Sequence, residues 1–191
     1  MKYLEVLLHH NTQIVSTSDL KNHLRITFAD DDNYIQDLEK AAVQRLEEFT
    51  NLFLLPTNCV QYGNTFNDLN ILYKSPITPE SISKVYYFQN DVWNIVTPSQ
   101  VEFVEKMKPA RVYGTSTFSN PTTDDVFSAW KIQYTVGYLT SADIPNPIIQ
   151  AIKIMVADMY ENRQSVIVGK IVSEIPRTAQ YLMNPYKIQT L

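Results

Sequence analysis

The chain has 191 residues, 45% hydrophobic and 19% charged. That is the composition of a folded domain with its own core, not of a disordered segment. Its 16 basic and 20 acidic side chains leave a formal charge of −4. This argues against a surface that grips nucleic acid throughout, since phosphate binding needs clustered Lys and Arg; a mildly acidic surface lets DNA slide past.

No apolar stretch approaches the ~18–20 residues of a membrane span. The start, Met1 to His10, lacks the long apolar core and cleavage site of a signal peptide and reads as a first strand or extended arm of a cytoplasmic protein. Cys59 is alone, so it forms no internal disulfide and anchors no thiolate cluster. The chain has 12 Tyr and only 4 Gly. Phosphate loops and oxyanion turns often use glycine, yet Gly63, Gly114, Gly137 and Gly169 are scattered singly. Tyrosine is enriched at protein interfaces, which tilts the reading towards assembly.

In chain order, Thr17-Ser18-Asp19 supplies capping side chains for a short helix through Leu24. Asp30-Asp31-Asp32-Asn33 opens a second helix, expected from about Asp31 to Asn51. Ile35, Leu38, Ala42, Leu46 and Phe49 form its apolar stripe. Acids at its start complement the helix dipole.

From Leu52 to about Tyr138 the periodicity shortens. Ile71–Tyr73, Ile82–Phe88, Trp93–Val96, Val101–Val104, Arg111–Tyr113 and Trp130–Tyr138 read as short strands rich in β-branched and aromatic residues. Trp130, Ile132, Tyr134 and Val136 alternate with polar residues, as in a strand with one buried face. Turn signals such as Gln89-Asn90-Asp91 separate the strands, so a small antiparallel sheet is expected. Gly114 to Asp125 is polar and reads as a hairpin tip or mobile loop. Asp143 is placed as the cap of a third helix, with Pro145 and Pro147 in its first turn and its end near Arg163. A linker from Gln164 to Ser173 leads to a last helix, about Pro176 to Met183, closed by Asn184-Pro185.

The candidates for chemistry are thin. Asp30 to Asp32 has no central Gly and no Glu at position twelve of a calcium loop, so capping explains it better. His9, His10 and His23 lack metal-ligand spacing and a neighbouring nucleophile. Cys59 sits in a strand-like stretch and reads as a buried inert thiol. Tyr86-Tyr87-Phe88 could stack on bases, but only Lys84 adjoins it, so core packing or a strand edge paired with another protein fits better. Glu161 and Arg163, near the end of the third helix, could pair with each other or with a neighbouring subunit.

Three segments together resemble the head-to-tail connector (adaptor, or head completion) family of tailed phages. The first is Ser18 to Ile26 with the acidic run and the long helix ending Arg45-Leu46-Glu47-Glu48-Phe49-Thr50. The second is Pro147 to Ile152 leading to Tyr160-Glu161-Asn162-Arg163. The third is Ile175-Pro176-Arg177 followed by Asn184-Pro185-Tyr186. The segments cover both helical ends, under half of the chain, and the long Tyr-rich middle departs from compact members.

The resemblance implies an α+β fold: a mainly helical connector core, helical over 17–51 and 143–184, with an antiparallel β-sheet inserted at about 52–140, all in one connector domain of residues 1–191. It implies a virion protein made in the bacterial host cytoplasm. Some twelve copies would form a homo-oligomeric ring at the head–tail junction. Its partners would be its own copies, the portal protein, and tail or neck proteins. Packaged double-stranded DNA would pass through without specific binding, and no membrane would be involved. The implied role is structural, with no catalytic residue, metal or cofactor. Tyr160, Glu161, Arg163, Pro185 and Tyr186 become the candidate intersubunit or portal contacts. The alternatives are a tail terminator or completion protein and, behind it, a small metal-dependent hydrolase.

Overall fold

The computed structural model describes residues 3–8, 12–74, 77–104, 109–162 and 175–189. The chain divides into two compact units. One holds Met1–His10, Asn51–Leu139 and Ile188–Leu191; the other holds Asn11–Thr50 and Thr140–Lys187.

The first unit is built on an antiparallel sheet of five strands: β1 (Tyr3–Leu8), β2 (Thr57–Gly63), β3 (Ile77–Gln89), β4 (Val92–Ile95) and, late in the chain, β7 (Trp130–Val136). Their spatial order is β1-β2-β7-β3-β4, so β7 is the centre and β1 and β4 are the edges. Strands β5 (Val101–Val104) and β6 (Arg111–Gly114) pair separately. The alternation in β7 works as expected: Trp130, Ile132, Tyr134 and Val136 are buried, and the residues between them are half-buried. Trp130 anchors an aromatic core, with ring centroids 5.4 Å from Phe66 and 5.8 Å from Tyr87.

Two turns show why the sequence permits this sheet. Asn90 and Asp91 both have positive φ, 55° and 60°. That is the left-handed pair a tight hairpin needs, and Asn and Asp tolerate it. Gly137 (φ 109°) ends β7, and a Cβ there would lie 2.1 Å from the Leu55 carbonyl oxygen. Only glycine allows that approach.

The second unit is helical: α1 (Thr17–Leu24), α2 (Asp32–Thr50), α3 (Asn146–Glu161) and α4 (Arg177–Met183), followed by a 3-10 turn over Asn184–Tyr186. Helix α3 packs against α1, α2 and α4. Ile35, Ala42 and Leu46 of α2 and Ile148, Ala151, Ile152, Met155 and Val156 of α3 are buried. Leu38 and Phe49 are only half-buried.

The α+β class stands, but a mainly helical fold does not, because the strands are as substantial as the helices. The sheet also draws on the N-terminus, since β1 pairs with β2. Ile71–Tyr73 is not a strand. Ile71 makes one isolated bridge to Arg111, and the Leu72 amide donates to the Ala110 carbonyl. The N-cap of α1 is Ser16, whose hydroxyl accepts from the Asp19 amide. Asp143 does not cap α3; its carboxylate accepts from the amide and hydroxyl of Thr140, closing a 3-10 turn, and Pro145 stands at the start of α3. The helix stops at Glu161, where the Asn162 side chain donates to the Asp158 carbonyl. Residues 115–129 form no hairpin tip. They run irregularly from β6 to β7, and Phe118 packs on Phe66.

Candidate interaction surface

The sequence candidates separate once placed. Tyr160, in the last turn of α3, points inward. Its hydroxyl donates to the Asp31 carboxylate, and its ring lies against Tyr34 at 6.0 Å between centroids. It ties α3 to the start of α2 within the subunit. Glu161 and Pro185 are exposed, and Tyr186 is half-buried. Arg163, His9, His10, Gly169 and the linker lie outside the described residues. Pro185 and Tyr186 share one 3-10 turn, and the half-buried Tyr160 has its hydroxyl taken up within the subunit.

The acidic run is likewise occupied. Asp31 receives Tyr160, and Asp32 pairs with Lys21 at 2.7 Å. Among the described residues no group of three or more His, Cys, Asp or Glu is placed to hold a metal ion. His23 is exposed on α1. Cys59 is buried, and that burial pushes its thiol up to about 12, so at neutral pH it carries almost no nucleophilic thiolate.

Two buried polar devices escaped sequence reasoning. Glu39 on α2 is 2% exposed, and its Oε1 accepts from the amides of Ile14 (2.8 Å) and Val15 (3.2 Å). Burial raises its pKa, while the two amides pull the other way. Its place in the helical stripe gave no signal, because a Glu there looks like a solvated residue. Gln61 is fully buried in β2. Its carbonyl oxygen accepts from the Tyr134 hydroxyl and the Tyr73 amide, and its amide nitrogen donates to the Ile71 carbonyl. That network satisfies the polar tip of a core tyrosine.

One extended surface feature among the described residues is the face of the five-stranded sheet turned away from the core. Cross-strand pairing aligns Tyr3 with Tyr62, Tyr62 with Lys131, Lys131 with Tyr86, and Tyr86 with Ile95. Residues directly opposite share a face, so one row crosses all five strands. Tyr3 and Tyr62 stack at 4.5 Å. The Lys131 ammonium sits 4.0 Å from the Trp93 ring centre and 5.0 Å from that of Tyr86. Desolvation lowers its pKa, while Glu5 opposes that shift. The Tyr62 hydroxyl donates to Glu5 (3.0 Å) and that of Tyr86 to Gln133 (3.2 Å). Tyr62 is pushed up to about 12, first by burial and then by Glu5. Of the tyrosine run singled out in the sequence, Tyr87 packs on the core, whereas Tyr86 belongs to this outer row.

Other exposed apolar side chains escaped the sequence reading, among them Tyr181 on α4 and Phe127 before β7, 74% and 65% exposed. Nothing in a sequence periodicity marks such residues: Tyr181 is on a helix of seven residues, and Phe127 lies in the irregular stretch before β7.

Residues 15–85 match the family model described as phage gp6-like head-tail connector protein. The head-to-tail connector resemblance read from the sequence is thereby borne out. No curated protein matches the chain. Solved structures with the same fold include a chain of the neck of an empty GTA particle computed with C6 symmetry, 17% identical, covering 99% of this chain and 97% of that one, TM-score 0.78. Another comes from the virion of a native gene transfer agent (GTA) particle, 17% identical, covering 98% and 96%, TM-score 0.77. A third is from the neck of a native GTA particle computed with C12 symmetry, 15% identical, covering 99% and 97%, TM-score 0.75.

Proposed function

We propose, from the head-tail connector match over residues 15–85, that this chain is a structural subunit of a phage-type neck and not an enzyme. That match carries the reading. Its support is the likeness over nearly the whole chain to chains of neck and virion particles. Some twelve copies form a closed ring beneath the portal, in keeping with the C12 symmetry of one of those necks. The ring extends the DNA channel and docks the tail. The two compact units work as one connector subunit, synthesised in the host cytoplasm and incorporated at the head–tail junction. Tyr160, Glu161, Arg163, Pro185 and Tyr186 are its candidate contacts to neighbours or portal.

Physically the task is passive. A chain with a net charge of −4 lets DNA pass by repelling phosphate rather than holding it. No helix among the described residues is long and apolar enough to cross a membrane. The test is to mix the purified protein with its cognate portal and image the complex by electron microscopy. A ring of added density at the portal's exit is expected, and its absence would overturn the reading.

A further inference from the structure

We infer that the outer face of the five-stranded sheet is a contact surface between copies of this chain, resting on the ring proposed above. The sheet already buries its other face against a continuous apolar core. On the outer face it still presents Tyr3, Tyr62, Tyr86 and Trp93, with Ile95 at the far edge. Tyr and Trp are the residues enriched at protein interfaces, where they supply large contact area at low entropy cost. Here the cost is lower still, because two of the tyrosine hydroxyls are already held by Glu5 and Gln133.

The size is suitable. Four to seven residues on each of the five strands, at ~3.3 Å per residue and ~4.8 Å between strands, give a face of roughly 480 Å². One side of a specific protein interface is about 800 Å², so this face is the larger part of one. A nucleic acid fits it less well. An aromatic platform for single strands needs a positively charged groove. The Lys131 ammonium is instead spent on the Trp93 and Tyr86 rings, and Glu5 adds an opposite charge beside it.

In a closed ring of one chain the lateral neighbour is another copy, and a head-to-tail ring sets each face against a different surface of the next subunit.

Ile95 is 51% exposed and lies at the end of the row, so changing it tests the surface without emptying the core. Ile95→Lys is expected to raise the concentration at which rings form on the portal by about tenfold, read by sedimentation. Tyr113→Lys, on the separate β5–β6 pair, should leave it unchanged. With p-benzoylphenylalanine in place of Ile95, irradiation of assembled rings should yield a chain-to-chain dimer identified by mass spectrometry. Rings that form normally with Ile95→Lys, or cross-links only to another protein or to DNA, would overturn this assignment and leave the ring itself standing. If the unaltered protein forms no ring, the ring reading fails and this one with it.

Discussion

The two units solve the same problem with opposite means. The sheet unit is held by long-range apolar pairing, with aromatic rings clustered on Trp130 and a surplus of rings left on its far side. The helical unit has ordinary apolar stripes but fixes its joints with charged groups: Glu39 gripping the chain before α1, Asp31 taking the Tyr160 hydroxyl, and Lys21 paired with Asp32. The lesson is that the sheet unit offers one broad aromatic face, whereas the helical unit offers separate exposed groups, Glu161, Pro185 and Tyr181, on a frame held by polar tethers.

The strongest way to break this contrast is to empty the sheet core. Trp130→Ala should cost about 3–5 kcal/mol, as large aromatic truncations do, because Trp130 is 2% exposed and touches Phe66 and Tyr87. Urea unfolding followed by Trp93 fluorescence measures it, and a loss below 1 kcal/mol, well under that range, would deny the core its role.

In the helical unit, Glu39→Ala should cost about 1–3 kcal/mol by leaving the Ile14 and Val15 amides unpaired in the interior. Glu39→Gln keeps an acceptor and should lose less. It also exposes a pH signature. Burial raises the folded pKa of Glu39 above its usual 4.5. The contribution of that shift is therefore full below the usual value and is lost as pH rises through the raised one. Thermal melts should show the parent protein gaining on Glu39→Gln as pH falls through this window. Parallel curves would mean that the carboxyl is not perturbed.

Tyr160→Phe sharpens the comparison by removing a single tether. A loss of about 0.5–1.5 kcal/mol in the free subunit is expected for one hydrogen bond, read by urea unfolding followed by the helical circular dichroism signal. An unchanged subunit that assembles poorly would return Tyr160 to the intersubunit role implied by the resemblance. The smallest effect belongs to the exposed Lys40–Asp37 pair, 3.1 Å apart on α2. Lys40→Ala should change stability by only ~0.2–0.5 kcal/mol, measured in the same assay.

By itself the sequence determined the helices of the second unit, the inward side of β7 and the tight turn at Asn90-Asp91. Each is set by residues a few positions apart, through periodicity or backbone preference. It also carried the head-to-tail connector resemblance. Tertiary structure alone decided that β1 joins β2, that β7 lies in the middle, that Glu39 and Gln61 are buried, and that Tyr160 turns inward. Those outcomes depend on partners 10 to 129 positions away in the chain, and no local pattern encodes which distant amide or carboxylate will be waiting. The aromatic row belongs to the same class: five strands each contribute one unremarkable residue, and only their register makes a surface of them.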